Sequence, residues 1–290
     1  MADVCSAGVD TGFVALGYSK IATLGVVQGI SELLPISSTA HMRIVPAAFG
    51  WQDPGSAFSA VMQLAALVAV VSYFWRDIRN IVFGSVTAIR TGDYYSPWLR
   101  LAIGIVLATL PIAIVGFAMS QSLNACGTWL RSIEVMGFSC IVMAVLMAGA
   151  EITCSHYRNT EGMGLRDALI VGLAQVGALI PGVSRSGSTL TAALFLGFRR
   201  EEAARFSFLI GMPAIFLAGM KELWVLYNAE LSQEAWMMLG WGLLIGSISA
   251  FVAVWGLMRF LEKFSTWPFI IYRGLLGLVL LGAAFGGFIS

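Results

Sequence analysis

The chain has 290 residues, 58% of them hydrophobic and only 11% charged, with a net charge of +1 and a mean hydropathy of +0.84. A soluble domain carries about 25% charged residues, so this composition excludes a soluble globular enzyme and points to a polytopic membrane protein. A net charge of +1 says nothing about partners by itself, and no nucleic-acid partner is expected. The first dozen residues lack a basic stretch and a cleavage site, so no removable signal peptide is expected. Cys5, Cys126, Cys140 and Cys154 have no metal-ligand spacing and read as free thiols.

Residues 13–50 form an apolar stretch broken in its middle by Pro, Gly and Ser. The pattern predicts a helix that enters the membrane, stops and turns back. Such backbone is tolerated at membrane depth only where protein buries it or it lines a cavity. The break reads Gly25-Val26-Val27-Gln28-Gly29-Ile30-Ser31-Glu32-Leu33-Leu34-Pro35-Ile36-Ser37-Ser38-Thr39-Ala40-His41. Gln28 lies four residues before Glu32, so a helix presents both on one face. Glu32 can bind a divalent cation or take a proton. Burying it requires a partner, and Arg185 is the candidate. Ser37, Ser38 and Thr39 offer hydroxyls past Pro35, although Ser37 or Ser38 can equally cap the next helix. His41 titrates near neutrality and can move a proton; a satisfied structural histidine is the competing reading.

Full spans of roughly 20 apolar residues are expected near 56–75, 99–119 and 132–150. The loop after the first of them carries Arg76, Arg79, Arg90 and Arg100. A second broken segment follows over 167–198, then spans near 205–225, 236–258 and 268–288. The second break contains Pro181-Gly182-Val183-Ser184-Arg185-Ser186-Gly187-Ser188-Thr189. Arg185 is a permanently charged planar fork matched to phosphate oxygens. Ser184 and Ser186 flank it, with Ser188 and Thr189 one turn on. Gly182 and Gly187 let backbone N–H groups come close to a ligand. The helix restarting there points its N-terminus at the loop, an end that favours anions. The competing reading is an interfacial arginine reaching for lipid headgroups.

Gly25 and Gly172 stand 147 positions apart, as do Gln28 and Gln175, Ser37 and Ser184, and Gly50 and Gly197. The expected fold is an all-α polytopic membrane protein, a single integral membrane domain over 1–290 with about six full transmembrane spans. It is an inverted-topology repeat with two re-entrant helix-loop-helix segments: repeat 1 about 13–150, repeat 2 about 167–290. Eleven of the 17 basic residues, Arg158, Arg199, Arg200 and Lys263 among them, fall in loops on one side of this span order. The positive-inside rule makes that side cytoplasmic. The span ending near Trp75 then exits to the cytoplasm, and its mate ending near Glu222 exits outside. The two halves are thereby inverted, and their broken tips can meet near mid-membrane, where such paired segments mark a binding site. A carboxylate, hydroxyls and an imidazole facing an anion clamp suit hydrolysis of a lipid-tailed phosphate ester or anhydride. A polyprenyl-phosphate transporter or flippase is the alternative, because inverted repeats with broken helices are also a transporter plan.

The run Gly29 to His41 and the run Pro181 to Thr189 closely resemble the two signature motifs of the bacterial undecaprenyl-diphosphatase (bacitracin-resistance) family. Further similarity at Phe58 to Val71, Glu202 to Pro213 and Ile271-Tyr272-Arg273 extends the resemblance over nearly the whole chain. It implies a multi-pass inner-membrane hydrolase that converts undecaprenyl diphosphate to undecaprenyl phosphate, the lipid carrier for peptidoglycan and other cell-envelope sugars, and so gives bacitracin resistance. It also implies a divalent cation, Mg²⁺ or Ca²⁺, and a site opening to the outer, periplasmic side. By motif position, Gln28 and Glu32 fall on the family's (Glu/Gln)-x-x-x-Glu pair, Ser38 on its proposed nucleophile and His41 on its histidine. Ser184, Arg185, Ser186 and Thr189 fall on its phosphate-binding segment, and Ser37 and Thr39 are expected to add substrate-binding hydroxyls. Glu32 is the expected metal ligand. Some members carry Glu where this chain has Gln28, and Ala40 replaces the more usual Gly. The expected partners are the polyprenyl diphosphate and membrane lipids; oligomeric state stays open, with a homodimer as one option.

Overall fold

The structure, a computed structural model, describes residues 11–119 and 129–286. Cys5 and Cys126 lie outside the described residues, as does the end of repeat 2 beyond 286. The described residues hold no strand beyond one isolated bridge, Arg158 to Phe198.

The first broken segment is α1 (Tyr18–Leu33) followed by α2 (Ser38–Ala48). Helix α1 stops because Leu34 precedes Pro35, whose ring disfavours helical backbone in the residue before it; Leu34 is extended, at φ −71° and ψ 145°. Then come α3 (Ser56–Tyr73), α4 (Trp75–Thr91), α5 (Pro97–Ala118) and α6 (Ile133–Thr153). The second broken segment is α7 (Leu165–Val176) and α8 (Arg185–Phe195). Helices α9 (Arg200–Asn228), α10 (Gln233–Leu261) and α11 (Trp267–Phe285) complete the chain. Six of these, α3, α5, α6, α9, α10 and α11, are long and apolar enough to cross a membrane. They match the six expected spans to within a few residues at most ends.

Helix α4 was expected as a basic loop. Instead Ile81, Ser85 and Ala88 face inward along it, and Gly92 ends it in the left-handed conformation that a helix C-terminus favours. Its outer face carries exposed Val82, Phe83 and Ile89.

The halves interlock. Helix α1 packs along α10 and α7 along α5, while α3 packs on α9 and α6 on α11. Lipid tails are as apolar as leucine, so such helices associate by close backbone contact at small residues. A Cβ on Gly25 would stand 2.8 Å from the Gly242 carbonyl, and one on Gly172 would stand 2.5 Å from the backbone of Ala108.

Backbone geometry repeats at the two tips. Ser37 and Ser184 both take positive φ, 74° and 65°, as do Gly50 and Gly197, 62° and 81°. A serine in that region is uncommon, and such strain persists where surrounding structure holds it, often at functional sites. Both serine side chains accept a backbone N–H three residues on, from Ala40 at 3.5 Å and Gly187 at 3.1 Å. Helices α2 and α8 therefore begin at the two tips with capped N-termini.

Candidate active site

Glu32 is the centre of the arrangement. It sits at the C-terminal end of α1 and is 6% exposed. Its Oε1 accepts from Arg185 Nη2 at 2.6 Å. Its Oε2 accepts from Ser38 Oγ at 2.6 Å and from Gln28 Nε2 at 2.9 Å. The ion pair expected between Glu32 and Arg185 is present. One buried carboxylate thus joins a cation, a hydroxyl and an amide drawn from both broken segments.

Ser38 and Arg185 are the first helical residues of α2 and α8, 147 positions apart. The N-terminal ends of two helices, each carrying about half a positive charge, therefore begin beside this carboxylate. Arg185 also donates Nη1 to the Gly211 carbonyl at 3.1 Å.

The tips exchange hydrogen bonds through a second matched pair, Thr39 and Ser186. Thr39 Oγ1 accepts from Gly182 N at 3.1 Å. Ser186 Oγ stands 3.2 Å from the Glu32 and Leu34 carbonyl oxygens. Ser37 Oγ is bonded to Thr39 Oγ1 and Ser184 Oγ to Ser186 Oγ, both at 3.1 Å. Thr189 is fully buried behind the site, with its hydroxyl on the Arg185 carbonyl at 2.8 Å and on Ser207. Gln175, the mate of Gln28, is not at the tip and donates to the Ala108 carbonyl at 3.2 Å.

His41 is not on Ser38. Its Nδ1 stands 2.7 Å from the Ser37 carbonyl and its Nε2 2.7 Å from the Tyr272 hydroxyl. A carbonyl only accepts, so Nδ1 carries the proton, and in the neutral ring Nε2 accepts from Tyr272. The group bonded to Ser38 is a carboxylate.

Sequence reasoning gave no role to Tyr272 or Arg273. Arg273 is fully buried. It donates Nη1 to the Pro35 carbonyl at 3.2 Å and Nη2 to the Gly182 and Val183 carbonyls, pinning both tips to α11. An arginine inside an apolar span was the available signal; its partners, 90 and more positions away, were not.

A cavity of about 60 Å³ adjoins the site, lined by Gln28, Ser38, Thr39, Arg43, Asp53 and Gln63 among others. Arg43 and Asp53 form an ion pair at it. Among the described residues no three His, Cys, Asp or Glu side chains converge as a metal cage. The oxygens near the cavity, from Glu32, Gln28 and Ser38, nevertheless suit a hard cation that takes one carboxylate plus substrate phosphates.

The family model described as "Bacitracin resistance protein BacA" matches residues 21–279. The chain belongs to this family. It is similar to "Undecaprenyl-diphosphatase 2" of Mesorhizobium japonicum, 65% identical over 261 residues, covering 90% of this chain and 99% of the relative. "Undecaprenyl-diphosphatase" of Gloeobacter violaceus is 47% identical over 272 residues, covering 94% and 93%. That of Synechocystis sp. is 45% identical over 290 residues, covering 98% and 88%. Family membership together with six membrane-length apolar helices makes this BacA-family chain a multi-pass membrane protein.

Proposed function

We propose that this protein hydrolyses undecaprenyl diphosphate to undecaprenyl phosphate and phosphate, returning the lipid carrier to cell-envelope synthesis and giving bacitracin resistance. One observation carries the mechanism: Ser38 Oγ and Arg185 Nη2 lie on the two oxygens of the same buried carboxylate. Glu32 takes the Ser38 proton, and Ser38 Oγ bonds to the terminal phosphorus as the bridging P–O bond breaks. Undecaprenyl phosphate leaves. Water then cleaves the phosphoserine, releasing phosphate and restoring the hydroxyl. Phosphoryl transfer asks mainly for positioning and charge stabilisation. Arg185 and the two helix N-termini supply both, and Ser37, Ser184 and Ser186 hold the tips in register. Arg273 and the His41–Tyr272 pair position the loops from α11.

Glu32, with the Gln28 and Ser38 oxygens beside it, would hold a Mg²⁺ or Ca²⁺, which would supply neutralisation of phosphate charge. The cavity of about 60 Å³ has room for about two waters, and the Arg43–Asp53 pair lies in its lining. The positions of basic residues support an inner-membrane protein whose site opens outward: Asp53, the partner of Arg43, lies in the loop between α2 and α3, at the opposite end of α3 from the arginines that follow it.

The test is phosphate release from a polyprenyl diphosphate by detergent-purified protein, with and without chelator, beside Arg185→Ala and Ser38→Ala. Chelator-sensitive release abolished by both substitutions is expected. Substrate binding without release by the wild type would favour a transporter.

A further inference from the structure

A cavity of about 630 Å³ lies where α5, α7 and α9 begin, and it shares no lining residue with the cavity beside Ser38. Its size is that of a small-molecule site. One part of its wall is polar, with Arg100, Arg199, Arg205 and Thr160 beside the carboxylates of Asp77 and Glu202; another is apolar, with Ile81, Leu101, Phe206 and Leu209.

The corresponding place in the first half is filled. Moving 147 positions back from Thr160, Met163, Ala168, Arg205 and Leu209 gives Phe13, Leu16, Ile21, Phe58 and Met62. The first five line the cavity. The second five belong to one buried apolar cluster. In it Phe13 stacks on Phe58 at 5.1 Å, both fully buried. The second half thus has Thr for Phe, Ala for Ile and Arg for Phe in the same framework, which converts a plug into a lined chamber.

The charges of that chamber favour an anion. Arg205 is paired with Asp77, with Glu202 3.8 Å away, and Arg199 is paired with Glu201. Arg100 makes no ion pair among the described residues. Pro97, Gly164 and Arg199, at the starts of three helices, all line the wall, and neither Ser96 nor Arg199 caps its helix with a side chain. Helix starts and arginine forks both prefer phosphate oxygens, and the apolar wall accommodates hydrocarbon.

We infer that this chamber is a second, non-catalytic site for a phosphate group, in which Arg100 and Arg199 hold the anion and the α4–α5–α9 wall receives an attached chain. It does not depend on the hydrolysis reading.

The test uses full-length protein carrying Arg185→Ala, which weakens phosphate binding at the tips, with dodecyl phosphate as the probe in equilibrium dialysis. One bound equivalent is expected. Adding Arg100→Gln with Arg199→Gln should weaken it at least tenfold, and Thr160→Phe, which restores the plug residue of the first half, should abolish it. With Arg185 intact, Arg100→Gln should leave phosphate release unchanged. No binding in the Arg185→Ala protein, or binding indifferent to both sets of changes, would overturn the assignment. Competition by inorganic phosphate separates the sources: displacement identifies free phosphate as a sufficient ligand, and failure to displace identifies a lipid phosphate.

Discussion

Ser38 and Arg185 stand at the same place in two similar segments, and both end on Glu32. The pair divides a hydroxyl and a cation between matched positions, and the carboxylate couples them. Arg185→Lys keeps the charge but loses the fork that bonds Glu32 and the Gly211 carbonyl together. Phosphate release should fall about 10²–10³-fold, the range for losing a transition-state donor; near-normal turnover would remove Arg185 as the clamp. Tyr272→Phe deletes one hydrogen bond to His41, a change of about 0.5–1.5 kcal/mol, so kcat should drop by up to about tenfold. An unchanged kcat would leave Tyr272 with its ring stacking on His41 alone. Glu32, Arg185 and Ser38 were legible in the sequence because ionisable and hydroxyl groups in apolar surroundings need a reason to be there. That Ser38 would meet Glu32 rather than His41 was not legible, since His41 lies three residues on along the same helix while Glu32 lies six residues back, across the break at Pro35.

At the scale of elements, the broken helices and the six long ones follow from local rules: Pro after Leu34, serine caps, and runs of about 20 apolar residues. Helix α4 did not, because its apolar face is interleaved with arginines and falls short of a span; periodicity, rather than mean hydropathy, was its signal. The packing of α7 on α5 depends on Gly172. Gly172→Val should destabilise the protein by about 1–3 kcal/mol, the cost of overpacking, read as a lower melting temperature in detergent. Gly240, with open space around a built Cβ, is the control: Gly240→Ala should be neutral or slightly stabilising. Equal melting temperatures for both variants would contradict the close contact between α7 and α5.

At the scale of the molecule, the inversion expected from the basic residues predicts which ends face which side. In a cysteine-free background, Tyr95→Cys lies between α4 and α5 and Tyr227→Cys near the end of α9; Tyr95 and Tyr227 are 86% and 67% exposed. A membrane-impermeant maleimide added outside the inner membrane should label the second and spare the first. Labelling of both, or of the first alone, would refute the orientation.

By itself the sequence determined the spans, their breaks, the repeat and the polar residues at the tips, because hydropathy and backbone preference act over a turn or a span. Only the tertiary structure decided that Glu32 binds a residue 153 positions away, that Arg273 ties the tips to α11, and that one half is plugged by Phe13 and Phe58 where the other is open. Those outcomes depend on how helices cross, and contacts between distant segments are set by the packing of whole faces rather than by neighbours along the chain.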